Sequence, residues 1–350
     1  MDNPTVRRPR KVTIRDVARL AGVSASTVSA ALSGGAHVST ATRRRVIDAA
    51  DRLGWRPDRR AAGLRRFHSR QVGVIYEVAQ SFQASLLDAL YVAAADEGLD
   101  LILAGATVHH TEQTCVAQLM RDGCQAMVLT GSGLSDREIA DVATRIPTLS
   151  LCRQVSLGGV DVVACDSRQG AATAVAALAG LGHRDIVHVN GAGQPMSAER
   201  EQGYVEAMTG LGLSRHVRVL PGGSTVEAGV AAAQAVAVMR PRPTAVTCFN
   251  DMCASAMVRQ LRLQGIGVPE QISVVGFDDA PVASDPTTGL TSVRQDASEL
   301  ARQAARLLGR RVEQEGPVPA GNEQVIIIGT ELVTRTTTSA LGPGVVGRPS

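Results

Sequence analysis

The sequence predicts a multidomain chain, with an all-α helix-turn-helix headpiece at its start and an α/β core of two doubly wound subdomains behind it. Three observations carry this reading. The first 70 residues hold 16 Lys and Arg against 5 Asp and Glu, a charge of +11, whereas the remaining residues sum to −8. Apolar residues recur at helical spacing from Val12 to Gly54. From Gln71 onward, short β-branched runs alternate with Ala-rich amphipathic stretches, the rhythm of parallel sheets covered on both faces.

The headpiece elements follow from spacing and caps. Ile14, Val17, Ala18 and Leu20 or Ala21 mark a first helix, Val28, Ala31 and Leu32 a second, and Val46, Ala49, Ala50 and Leu53 a third. Gly22 breaks the first pair, Ser24 and Ser39 are placed as N-caps, and Gly54 sits where a helix-ending glycine belongs. Small Ala18 at the helix contact, Gly22 in the turn and Val28 in the second helix give helix-turn-helix spacing. The second helix would enter a DNA major groove with Ala25, Ser26, Ser29 and Ala30 near base edges. A block this basic on an acidic body is built for a polyanion. The Arg-rich stretch 56–70 reads as a linker in which Asp58 could cap one or two helical turns, too few to hold alone in water.

In the core, strands are expected at 72–76, 99–104, 126–130, 147–151, 160–165, 185–189, 245–249 and 272–277, with helical periodicity between most of them. Two sheets are the natural count. Val325–Ile328 adds a late apolar run. The tail after Arg335 is rich in Thr, Gly and Pro, carries no leucine heptad, and is expected to fray from 339 to 350.

Composition narrows the function classes. Hydrophobic residues make up 44% and charged residues 20%, enough for a real core at 350 residues. Aromatics are only 2%, so base-stacking platforms are not expected. Six cysteines form no CxxC pair and no zinc-spaced cluster, and no metal or cofactor is expected. His183 reads as turn structure, and His109-His110 has no acidic partner at metal spacing. Arg153 reads equally as an interdomain group or a solvated charge. No apolar signal core and no run near ~18 apolar residues is present, which points to a cytoplasmic protein without a membrane partner. An enzyme is the first rival, but Gly131-Ser-Gly133 is only half a dinucleotide motif, and no P-loop, GxSxG or HExxH occurs. A secreted solute-binding protein is the second, and it would have no use for the +11 block.

The stretch VTIRDVARLAGVSASTVSAALSGGAHVSTATRRRVIDAADRLGWRPDRRAAGLRR resembles the headpiece and hinge of the LacI family of bacterial transcription regulators. GLGHRDIVHVNG, SAEREQGY, FNDMCASAMVRQLRLQGIGVPEQISVVGFDD and LTSVRQD resemble segments of that family's effector domain, in order up to about Thr334. The resemblance implies a headpiece at 12–56 and a hinge helix and linker at 57–70. It implies a periplasmic-binding-protein-like effector and dimerisation domain at 71–338, with one subdomain at about 71–165 and 295–321 and the other at about 166–294 and 322–338. Thr13, Ser24, Ser39 and Thr42 would contact phosphates; Ala25 and Ser26, with Ala30, would face the bases; Thr27 and Ser29 complete the DNA-binding set, and His37 would lie near the backbone. Leu64 would be the apolar wedge in the minor groove, with Arg60 supplying charge beside it.

For the cleft, the resemblance places Arg200, Asn250 and Asp278 around a small-molecule effector, with Tyr76, Phe82 and Gln83 after the first strand. An Arg fork and a carboxylate suit adjacent hydroxyls, so a sugar is the expected ligand, with a purine or nucleoside as the alternative. The function implied is a dimeric repressor on a pseudo-palindromic operator, an activator being the other possibility. Ala25 and Ala30 stand where many members carry larger or basic residues, leaving few direct hydrogen bonds to bases.

Overall fold

In the computed structural model, residues 12–32, 38–53, 55, 70–314 and 316–341 are described. The chain divides into two compact units, with the boundary between Ser69 and Arg70.

The first unit contains α1 (Ile14–Ala21), α2 (Ala25–Leu32) and α3 (Thr40–Arg52). Thr13 opens α1 by donating its backbone N–H and its hydroxyl to the Asp16 carboxylate at 2.9 and 2.7 Å. Gly22 ends α1 at φ +64°, and the Val23 N–H reaches back to the Ala18 carbonyl at 3.1 Å. That left-handed turn is one glycine adopts without steric cost. Ser24 and Ser39 cap α2 and α3 as the sequence predicts, accepting from Thr27 N–H and Thr42 N–H. The helices close over Val17, Val28 and Val46, all fully buried. Arg45 donates to the Ala21 carbonyl at 2.8 Å and Arg43 to the Ala31 carbonyl at 2.9 Å, so two α3 guanidiniums tie down the last turns of α1 and α2.

The second unit carries two six-stranded sheets. Its elements are β1 (Gln71–Glu77), α4 (Ser81–Asp96), β2 (Asp100–Ala106), α5 (Glu112–Asp122), β3 (Ala126–Thr130), α6 (Asp136–Ala143), β4 (Thr148–Leu151) and β5 (Val160–Cys165). There follow α7 (Ser167–Gly180), β6 (Ile186–Val189), α8 (Ser197–Gly210), β7 (Arg218–Leu220), α9 (Val226–Val238), β8 (Ala245–Cys248), α10 (Asp251–Leu263) and β9 (Ser273–Asp278). The chain ends in β10 (Thr291–Arg294), α11 (Ala297–Arg311), β11 (Val325–Ile328) and β12 (Glu331–Val333).

The first sheet runs β11-β5-β4-β3-β1-β2, all parallel; the second runs β12-β10-β9-β8-β6-β7, parallel except for β12 against β10. Each is doubly wound, with the strand order reversing beside β1 and β3 in one and β6 and β8 in the other. Ligands in such sheets bind outside the carboxyl ends of the strands at that reversal.

Three expectations are corrected. Val325–Ile328 does not belong to the second subdomain: it pairs with β5 in register Val325↔Val162 to Ile328↔Cys165, so the last crossover falls at Gly329 and Thr330 rather than at 322. The reason lies beside β5, where Arg311 grips the buried Asp161 carboxylate at 2.8 and 2.9 Å. The Gln324 N–H donates to the same carboxylate, delivering the chain to that edge. The tail is ordered to Leu341, whose N–H bonds the Leu181 carbonyl, while the Ser339 carbonyl accepts from His183; residues 342–350 lie outside the described residues. Strands β7, β10 and β12, three or four residues each, join the eight expected and the late run.

Candidate functional site

Each unit carries one candidate site. In the headpiece, Thr13, Ser24, Ser26, Ser29 and Ser39 are exposed and Ala25, Thr27, Ala30 and Thr42 half-buried, so the predicted contact residues reach the surface. Ser24 Oγ shares hydrogen bonds with Ser26 Oγ at 2.7 Å and Thr27 Oγ1 at 2.8 Å, a hydroxyl cluster on the N-terminal turn of α2. That turn carries the positive end of the helix dipole, where an anion is favoured. His37, Gly54, Arg60 and Leu64 lie outside the described residues.

In the core, the loops at the two strand-order reversals face each other across one cleft. It is narrow, about 50 Å³, and lined by Gln80 and Phe82 after β1, Thr130 and Gly131 at the end of β3, Met196 before α8, and Arg200. Asn250 before α10, Asp278 at the end of β9, and Gln295 complete the opposite wall with Phe249. Arg200 is fully buried, its guanidinium stacked 3.7 Å from the Phe277 ring centroid and 4.7 Å from that of Phe249. One nitrogen donates to the Phe249 carbonyl and another to Asp278 Oδ1 at 3.4 Å, while Nε has no protein partner. Asp278 also accepts from Gln295 Nε2 at 2.7 Å. Burial pushes its carboxyl up to about 6, against the pull of Arg200.

Asn250 has two roles. Its Oδ1 caps α10 by accepting from Cys253 N–H at 3.0 Å, and its Nδ2 donates to the Ser224 carbonyl at 3.2 Å and to Gln80 Oε1 at 3.4 Å across the cleft. Behind it, burial raises the Asp251 carboxyl, which accepts from Ala280 N–H and Ser292 Oγ. Cys152, Met196 and Asp278, three of the five described non-glycine residues with positive φ, line this one cleft, where stored backbone strain marks a functional site.

Phe82 lines the cleft. Gln83 lines it too, but both ends of its amide are used, accepting from Glu77 N–H at 2.7 Å and donating to the Thr130 carbonyl at 3.3 Å. Tyr76 is not in the cleft wall; it packs on the core and lines an adjoining cavity. Arg153 stays within the first subdomain, bonded to the Ser132 and Leu134 carbonyls and to Asp136. Gln80, Thr130, Cys152, Phe249 and Gln295 were not singled out by sequence. One signal was present: three of the chain's four phenylalanines, Phe82, Phe249 and Phe277, surround Arg200 and the cleft.

Among the described residues no group of His, Cys, Asp and Glu is placed to hold a metal ion, and no helix is long and apolar enough to cross a membrane. His183 is a structural bridge between Thr244 and Ser339.

A helix-turn-helix headpiece joined to a two-sheet core with a polar cleft defines a ligand-binding DNA regulator. The chain belongs to the lacI family of bacterial regulatory proteins. The model of that family matches residues 13–58, and a periplasmic binding protein-like domain matches residues 175–338. The HTH-type transcriptional regulator GalR of Escherichia coli K12 is 33% identical over 301 residues, 84% of this chain and 88% of the relative. A crystal structure of the lac repressor dimer bound to operator and the anti-inducer ONPF superposes with a TM-score of 0.77 at 25% identity, covering 95% of this chain and all of that one. A complex of the transcriptional regulator CelR with cellobiose gives 0.67 at 28% identity, covering 93% and 100%. The relatives are transcription regulators, and this chain is a regulator rather than an enzyme.

Proposed function

We propose that the protein is a cytoplasmic repressor that binds a pseudo-palindromic operator as a homodimer and is controlled by a sugar in the cleft between the two subdomains. The observation that carries this reading is Arg200. A guanidinium held between two phenyl rings, with one donor unpartnered and Asp278 and Asn250 beside it, suits a ligand rich in adjacent hydroxyls. The sugar bound by CelR and the operator-bound lac repressor dimer support it.

The contacts proposed on DNA are phosphates for Thr13, Ser24, Ser39 and Thr42, and base edges for Ala25, Ser26, Thr27, Ser29 and Ala30. His37 and Arg60 are proposed to lie at the backbone and Leu64 to wedge the minor groove. Sugar binding would shift the balance of the two subdomains and weaken operator binding by about 1–3 kcal/mol, and operator would weaken sugar binding by the same factor.

The test begins with selection of an operator from a random duplex pool, followed by anisotropy titration with and without sugars. A two-fold symmetric consensus and release by a sugar are expected. Arg200→Lys is the variant of choice, because alanine would strand Asp278 as a buried unpaired charge. Operator affinity should survive and the sugar response vanish; loss of sugar-free operator binding instead would make Arg200 purely structural. Leu64→Ala should lose specific affinity and spare nonspecific binding.

A further inference from the structure

A second cavity of about 360 Å³ opens beside the cleft, at the carboxyl ends of β1, β2 and β3. The two share Glu77, Thr130, Gly131, Gln194 and Pro195 as a common wall. The outer cavity lies within the ~300–1,000 Å³ range of small-molecule sites and continues from the narrow cleft, so a ligand seated at Arg200 has room to extend into it.

The chemistry of the outer cavity is that of a polyol site. Tyr76 offers a ring face, and Thr107, Glu112, Gln113 and Gln194 offer hydroxyl, carboxylate and amide groups. None of the described residues lining it is Lys, Arg or His, while Glu77 and Glu112 both belong to the wall, which opposes an anionic ligand. Glu112 is held in place by Ser132 Oγ and by Gly133 N–H at 2.8 Å.

The junction carries the decisive observation. Thr130 is 4% exposed, lines both cavities, and its hydroxyl has no hydrogen-bond partner. A buried hydroxyl left unpaired costs about 1–3 kcal/mol, and a ligand passing from one cavity to the other would satisfy it.

We propose that the outer cavity is a second subsite and that the effector is an uncharged saccharide of at least two rings, one ring held at Arg200, Asn250 and Asp278 and the next against Tyr76, with the link between them at Thr130. This rests on the reading of the cleft as a sugar site.

The experiment is isothermal titration and thermal unfolding of the full-length protein with glucose, galactose, cellobiose, maltose, lactose, melibiose and glucose 6-phosphate. One disaccharide should bind at least tenfold more tightly than its own monosaccharides, and glucose 6-phosphate should bind more weakly than glucose. Tyr76→Leu should cut disaccharide affinity at least fivefold and leave monosaccharide affinity within twofold, and Thr130→Val should cut disaccharide affinity at least fivefold. Without ligand, Thr130→Val should melt no lower than the wild type, since it removes an unpaired hydroxyl. A monosaccharide as tight as every disaccharide would overturn the second subsite while leaving the cleft reading intact. Tighter glucose 6-phosphate would overturn the uncharged ligand, and no response to any sugar would overturn both readings together.

Discussion

Asn250 Nδ2 stands 3.4 Å from Gln80 Oε1, and this hydrogen bond joins a helix cap of one subdomain to the loop after the first strand of the other. The same side chain therefore secures α10 and spans the cleft. Asn250→Ser keeps an N-cap oxygen but loses both amide donors, so global stability should fall by less than about 1 kcal/mol while sugar binding drops. Asn250→Ala loses the cap as well and should cost roughly 1 kcal/mol more. Urea unfolding beside calorimetric titration separates the two effects; equal stability in both variants would deny the capping role.

Asp278 gives the cleft a pH dependence of definite sign. Its folded value of about 6 lies above the ordinary 3.8, so its contribution to stability is complete below pH 3.8 and is lost as pH rises towards 6, by roughly 1.4 kcal/mol per unit within that window. Subtracting the pH–stability curve of Asp278→Asn from that of the wild type isolates this slope. In the proposed complex sugar hydroxyls would donate to the ionised carboxylate, so wild-type affinity should weaken as pH falls from 7 to 5. A flat titration across that range would remove Asp278 from the ligand contacts.

Helix packing makes two glycines indispensable. A Cβ at Gly203 would meet the Arg168 carbonyl oxygen at 2.1 Å, and one at Gly229 would meet that of Cys253 at 2.2 Å, so α7 against α8 and α9 against α10 pack backbone to backbone. Gly203→Ala and Gly229→Ala should each destabilise by about 1–3 kcal/mol or more. Gly180 and Gly210, also in helices, have nothing within 4 Å, and alanine there should stabilise by roughly 0.4–1 kcal/mol. Thermal melts of the four variants decide it.

In the headpiece, neighbouring arginines should behave oppositely. Arg45→Met removes the bond to the Ala21 carbonyl and should lower headpiece stability by about 1 kcal/mol. Arg44 is exposed; Arg44→Met should leave stability alone and reduce the slope of log K against log salt by about one. An unchanged salt slope would place Arg44 away from the phosphates.

The large repeating features were legible in sequence because periodicity reports them directly: the caps at Ser24 and Ser39, the turn at Gly22 and the long buried strands stand where spacing put them. Strands such as Arg218–Leu220 and Glu331–Val333 are too short to show alternation, and their pairing is set by neighbours far along the chain. In the cleft, Arg200 and Asp278 are reached only through the resemblance, since Arg200 stands in the charged stretch SAEREQGY. Thr130, Cys152 and Gln295 are ordinary in type, and only strand order brings them together. Gln83 shows the limit in the other direction: it lines the cleft, but local geometry consumes both ends of its amide.

The chain passes between the two sheets three times, after β5, after β10 and after β11. Neither subdomain is therefore a continuous stretch of polypeptide. During synthesis the first sheet waits for α11 and β11, and the second for β12, so both halves reach completion only as the segment ending at Val333 emerges from the ribosome. The headpiece, whose three helices are contiguous in sequence, is complete nearly 300 residues earlier. A nascent or prematurely terminated chain would thus carry a finished helix-turn-helix module without the two-sheet domain that follows it.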